Sequence, residues 1–294
     1  MNAVNAEAMH IVLPFVDSPG FGAALPVALV VAKTLRAELR VVTDATRMPQ
    51  VDDALRRANL PQEERDAIIV ERATGDLADA TLHAAGAARH AMVILATRFH
   101  GERAEEPAPD SDAFGHDILE RITRPVLIVP PDRDMHAWQW RKQLLPQDGT
   151  PECAGALAQV INRSSHFGIE NLVMRVAGAD VGQPTEPGSL ATPRYIDHPQ
   201  YEWDIWGQEF LDRIQAMGVR IGEQKLTLLM ASGDPGVETL RTAREKEADM
   251  IVLPWHCAIG SGRALLVKSI LEGAECPVLL LPQRGSDRCR GAVG

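Results

Sequence analysis

The residues whose types and spacing could do chemistry stand in short polar segments that follow apolar runs. Gly260-Ser261-Gly262 leads straight into a helix-forming stretch with Arg263 beside it. Glycines let backbone N–H groups approach an anion, a helix start adds a favourable dipole, and an arginine adds charged donors, so one or two phosphates could sit there. A plain glycine-rich connection would carry the same residues. Asp148-Gly149-Thr150-Pro151 and Asp17-Ser18-Pro19 each put a carboxylate at the end of an apolar run, where a turn-forming aspartate is the alternative to a ligand contact. Gly101 opens a segment carrying Glu105, Glu106, Asp110 and Asp112, whose charges would repel a triphosphate unless a metal intervened. His100 and His116 bracket that segment with donors a divalent ion could use, yet no metal site is assigned. Trp255 either fills space at a strand end or stacks on a ligand. His256 and Cys257 beside it make no zinc pattern without partners. The chain has no Ser-His-Asp spacing, nucleophile elbow, Walker lysine or dehydrogenase fingerprint, so no catalytic residue is assigned.

The elements that must position these residues come twice. Met92-Val93-Ile94-Leu95-Ala96-Thr97-Arg98 recurs as Met250-Ile251-Val252-Leu253-Pro254-Trp255-His256, and Thr74-Gly75-Asp76 as Ser232-Gly233-Asp234, both at an offset of 158. Asp17-Ser18-Pro19 is echoed by Asp148-Gly149-Thr150-Pro151, and Pro125-Val126-Leu127-Ile128-Val129-Pro130 by Pro277-Val278-Leu279-Leu280-Leu281-Pro282 at an offset of 152. A period this long, far beyond the roughly 20–50 residues of stacked repeats, means two copies of one domain.

Within the first copy, the apolar runs at residues 11–16, 39–42, 67–71, 92–96 and 125–129 read as strands. Amphipathic stretches at 23–37, 51–57, 77–88 and 117–122 read as helices. In the second copy the strands fall at 143–147, 172–176, 226–230, 250–253 and 278–281, and the helices near 152–165, 202–217, 237–246 and 265–272. Nearly all-apolar strands separated by helices require a parallel sheet covered on both faces, hence a doubly wound α/β structure. Residues 177–199, rich in Gly, Pro, Asp and Thr, read as a surface loop.

Composition bounds the partners. The net charge is -10, and residues 1–138 hold 21 of the 40 acids against 14 of the 30 bases. An acidic surface repels phosphate backbones, so nucleic acid is an unfavourable general partner. No apolar run approaches a membrane span, and the start lacks the basic region of a signal peptide, which points to the cytoplasm. Cys153, Cys257, Cys276 and Cys289 form no CxxC pair, arguing for reduced thiols.

Taken in order and twice over, these motifs resemble the universal stress protein family: a first strand ending in Asp before a small-Pro turn, a Gly-Asp turn before the third helix, the fourth strand, and the closing Pro-Val-Leu strand. The resemblance implies two tandem doubly wound domains, residues 1–135 and 136–294, each a five-stranded parallel sheet in the order 3-2-1-4-5 with helices on both faces. It also implies pairing through the fifth strands as an internal pseudo-dimer. Nucleotide-binding members carry Gly-x-x-Gly, nine residues, then Gly-Ser or Gly-Thr after the fourth strand. Here Ala104 replaces the second glycine after Gly101, and Gly115-His116 comes one residue late; in the second copy Cys257 stands at the first glycine, Gly260 at the second, and the late pair is missing. Nucleotide contacts implied by the resemblance fall on Asp148, Gly149, Gly260, Ser261, Gly262 and Arg263, and more weakly on Asp17, Ser18 and Gly101. The implied function is a stress-response regulatory or protective binding protein that is not a catalyst. The alternative is an adenine-nucleotide sensor binding ATP or AMP through the second domain, with slow ATP hydrolysis.

Overall fold

The computed structural model describes residues 9–97, 110–148, 150–177, 199–220, 225–255 and 263–282. In the first copy the elements run β1 (His10–Pro14), α1 (Ser18–Leu35), β2 (Glu38–Thr43), α2 (Met48–Arg57), α3 (Gln62–Asp66), β3 (Ile69–Arg72), α4 (Leu77–Gly86), β4 (Ala91–Ala96), α5 (Asp110–Arg121) and β5 (Val126–Val129). In the second they run β6 (Lys142–Gln147), α6 (Pro151–Ser165), β7 (Glu170–Ala177), α7 (Pro199–Ala216), β8 (Leu226–Ser232), α8 (Pro235–Glu245), β9 (Met250–Trp255), α9 (Arg263–Gly273) and β10 (Val278–Pro282). Each predicted strand is present. Boundaries shift by a few residues, most at the helix starts: α1 begins at Ser18 instead of 23 and α5 at Asp110 instead of 117, while β1 stops at Pro14. Helix α3 is an extra turn that its polar sequence, Gln-Glu-Glu-Arg-Asp, gave no apolar periodicity to announce.

The chain forms two compact units, Met1–Trp140 with Asp249–Gly294, and Arg141–Ala248. In the first unit β2 pairs β1 and β3, and β4 pairs β1 and β5, all parallel. That is the order 3-2-1-4-5. β1 and β5 are buried along their whole length, as a sheet covered on both faces demands. β10 joins β5 antiparallel and continues parallel to β9. In the second unit β7 lies between β6 and β8, again parallel, so that β8-β7-β6 and β9-β10 reproduce the pairings 3-2-1 and 4-5 of the first copy.

The β5–β10 ladder matches Ile128 with Val278, Leu127 with Leu279 and Val126 with Leu280. Leu127 and Leu279 are also equivalent positions of the repeat, so the ladder is centred on a pair of counterparts and has the local twofold character of an isologous contact. Leu127 is fully buried and Leu279 is 3% exposed. Two apolar terminal strands thereby lose an edge each, which otherwise would invite aggregation.

Helix starts explain the repeated polar motifs. Gly75 adopts φ +112 and Gly233 φ +137, the left-handed side that favours glycine. Each leads into an aspartate that caps the next helix: Asp76 accepts from the N–H groups of Ala78 and Asp79, and Asp234 from those of Gly236 and Val237. The Gly-Asp echo is thus a capping device. Helix α1 is long and apolar enough by composition to cross a membrane, with a mean hydropathy of 1.4 over its 18 residues, but half of it is buried inside the fold. Its inner face, including Phe21, Leu25, Ala28 and Val31, packs on β1 and β4.

Candidate functional site

In the second unit, β6 ends at Gln147, which is buried, and the chain turns at Asp148, which is exposed. Asp148 Oδ1 accepts from the backbone N–H of Thr150 at 2.9 Å and from its hydroxyl at 2.6 Å. Thr150 in turn caps α6, accepting from the N–H of Cys153 at 3.2 Å. The cap is thereby two residues beyond the aspartate, and the Asp148 carboxylate stands outside the helix start instead of closing it.

Beside it lies a cavity of about 320 Å³ whose walls include Gln147, Asp148, Thr150, Arg175, Trp206 and Arg213, with Glu209 and Phe210 completing them. The strands contribute their carboxyl ends, Gln147 from β6 and Arg175 from β7, which is where open α/β sheets take ligands. Helix α7 contributes one face: Trp206 and Phe210 are one turn apart, as are Glu209 and Arg213. The Trp206 indole N–H donates to Gln147 Oε1 at 3.1 Å. Its ring stacks on Phe210 with centroids 5.9 Å apart, and the Arg175 guanidinium carbon lies 6.0 Å from the Trp206 ring centre. A layered Arg-Trp-Phe wall results, held at one end by a side-chain hydrogen bond.

The first copy handles the counterpart aspartate differently. Asp17 is itself the cap of α1, accepting from the Gly20 N–H at 2.6 Å. Ser18 is the first residue of that helix and is half-buried. The space between the end of β1, α1 and Ala96 of β4 amounts to about 10 Å³, no more than a single water requires. Phe15 and Phe21, with ring centroids 4.9 Å apart, are both buried nearby. A side chain at Gly20 would lie 3.0 Å from Asp17 Oδ1 and 3.3 Å from Ala96 Cβ. The two voids are not the same place. In the first copy the space lies toward β4, and in the second the cavity lies toward β7, the partner strand of β6 on the other side.

Farther along the first copy, Thr97 donates to Asp112 at 2.7 Å, with the two residues 2% and 4% exposed. Gly115 lets α5 approach this pair, since a Cβ there would stand 3.0 Å from Thr97 Cγ2 and Oγ1. Its glycine is required by helix-on-strand packing. Trp255, the last residue of β9, lies opposite Pro282 and is 4% exposed, so it fills space at the strand end. Its indole N–H is buried and finds no hydrogen-bond partner among the described residues.

Of the nucleotide contacts expected from sequence, Asp17, Ser18 and Asp148 have described side chains; Asp148 borders the cavity of about 320 Å³ and Asp17 the void of about 10 Å³. Arg263 is the first residue of α9. Gly101, Gly149, Gly260, Ser261 and Gly262, together with His100, His256 and Cys257, lie outside the described residues. No group of three or more His, Cys, Asp or Glu among the described residues could hold a metal ion. The Cys276 thiol is pushed up to about 12 by burial, with Asp249 and Glu275 adding to it, which leaves it protonated and unreactive near neutrality. Sequence reading missed Arg175, Trp206 and Arg213. One signal was available: α7 and its start carry Tyr201, Trp203, Trp206 and Phe210 in a chain that is only 4% aromatic.

Residues 139–282, just under half of the chain, match the model of the universal stress protein family. Its fold is similar to that of a universal stress protein from Archaeoglobus fulgidus, 16% identical, with 93% of this chain and 98% of that chain covered at a TM-score of 0.60. A Pseudomonas aeruginosa protein assigned to the same family is 15% identical, with 99% and 98% covered at a TM-score of 0.62. A universal stress protein solved in complex with cAMP covers 49% of this chain and 98% of its own at 15% identity and a TM-score of 0.36. No curated protein matches the chain.

Proposed function

We propose that this chain is a cytoplasmic, non-catalytic stress-response binding protein made of two domains, residues 1–135 and 136–294, in which ligand binding belongs to the second. The ligand class proposed is an adenine nucleotide, ATP or AMP, engaged by Asp148 and the Gly260-Ser261-Gly262-Arg263 turn. What carries the reading is the different use of the two counterpart aspartates: Asp148 leaves the capping of α6 to Thr150 and borders a cavity of about 320 Å³, while Asp17 is consumed as the cap of α1. Affinity is modest in this reading, because the late Gly-Ser pair is missing and each lost charge-assisted hydrogen bond is worth roughly 1.5–3 kcal/mol, about one to two decades.

The test is calorimetry of ATP and AMP on the whole chain, since β10 pairs with β5 and a cut between the copies would expose both. Asp148→Asn and Gly260→Val are each expected to weaken binding, the valine because its side chain takes room at the proposed turn. Heat that survives both changes would move the site elsewhere, and absence of heat with either nucleotide would leave a binding module for some other partner.

A further inference from the structure

We propose that the cavity at the ends of β6 and β7 is an oxyanion site anchored by Arg175, taking a ligand that presents a phosphate monoester or a carboxylate. The proposal rests on the reading that this cavity is a ligand site, and it adds which part of the ligand is recognised. Arg175 is half-buried, with its guanidinium over the ring of Trp206. No carboxylate pairs with it among the described residues. Arg40, Arg47, Arg56, Arg121, Arg133 and Arg241 do pair with Asp or Glu, whereas Arg175 stands at a cavity wall without such a partner among the described residues.

Trp206 also holds the guanidinium at the cavity wall. The guanidinium carbon stands over the indole at 6.0 Å, and a guanidinium's planar fork of N–H donors matches the two oxygens of a carboxylate or phosphate. Trp206 is 4% exposed, fixed by Gln147 and backed by Phe210, so it orients Arg175 and leaves little ring face for an incoming base. Arg213 brings a second half-buried cation to the same cavity. The two carboxylates of the wall, Asp148 and Glu209, are exposed, and one oxygen of Asp148 already accepts twice from Thr150. Charges in contact with water are screened far more than charges half out of it, so the cations set the sign of the interior. The volume, about 320 Å³, is at the lower end of small-molecule sites and suits a compact anion.

The experiment follows the indole N–H signals of the five tryptophans in the ¹⁵N-labelled whole chain, titrated separately with inorganic phosphate, succinate, AMP and adenosine, with calorimetry alongside. The Trp206 signal is assigned by its loss in Trp206→Phe. Expected results are a Trp206 shift with the anionic probes and none with adenosine, and an AMP affinity reduced about 10- to 100-fold in Arg175→Gln. Arg175→Lys, which keeps charge without the fork, should lose less, and Arg56→Gln on the outer face of α2 should change nothing. Phosphate without succinate would assign the anion as a phosphate, and the reverse as a carboxylate. Equal binding of AMP and adenosine, insensitive to Arg175→Gln, would overturn the oxyanion assignment while keeping the ligand site. Binding of phosphate or succinate without AMP would uphold the oxyanion site and remove the nucleotide reading. No response to any probe would overturn both.

Discussion

Two glycines on one helix should respond to the same substitution with opposite signs. Gly20 and Gly22 both lie in the first two turns of α1, so replacing either by alanine removes the conformational cost of glycine, a gain of roughly 0.5–1 kcal/mol. At Gly22 nothing lies within 4 Å of the added Cβ, and that gain stands alone. At Gly20 the Cβ would meet Asp17 Oδ1 at 3.0 Å and Ala96 Cβ at 3.3 Å. Ala96 sits on a strand, so relief must come from the carboxylate that caps the helix through the Gly20 N–H. Losing a cap costs about 0.5–2 kcal/mol and overpacking about 1–3 kcal/mol. The net for Gly20→Ala is then destabilisation of about 1–3 kcal/mol, against stabilisation of about 0.5–1 kcal/mol for Gly22→Ala. Thermal unfolding reads this directly, at roughly 2–4 °C per kcal/mol for domains of 150–250 residues. If Gly20→Ala melts with or above Gly22→Ala, the space at the Asp17 end is open, and the contrast between the two copies loses its basis.

The β5–β10 ladder gives a second expectation: Leu127→Ala and Leu279→Ala, at buried positions that face each other, should each cost about 2–5 kcal/mol. Because the side chains are partners, the double variant should fall short of the sum in urea unfolding, and strict additivity would mean that the two strands are not paired. His10 supplies a pH dependence. Its pKa is lowered from 6.5, first by burial and then by Arg40, with Glu38 and Glu71 opposing. The folded imidazole therefore takes up its proton less readily than the unfolded one, which charges near 6.5, so stability holds at higher pH and declines as pH falls through that value. The urea midpoint of His10→Gln should decline less than that of the parent between pH 7.5 and 5.5, chosen to lie about a unit either side of the ordinary histidine value. Parallel curves would exclude His10 as the source.

The alternation of apolar runs and amphipathic stretches made all ten strands legible, because burial on both faces of a parallel sheet forces continuous apolar sequence; the first-copy order came from the family resemblance and not from the alternation. Gly75-Asp76 and Gly233-Asp234 were legible as turns for an equally local reason: a positive φ and a cap involve neighbours a few residues apart. The same local logic left Asp17 and Asp148 looking alike. Tertiary structure separates them. Asp17 reaches Gly20 and closes its helix, whereas Asp148 is held by Thr150 and borders a space walled by α7. Trp206 meets Gln147 across 59 residues of chain, and no periodicity encodes a contact at that separation. Sequence determined which residues form strands, turns and caps, since those depend on short-range sterics and hydrogen bonding. Only the packing of distant elements decided where room remained, and with it that Arg175, Trp206 and Arg213 stand around Asp148.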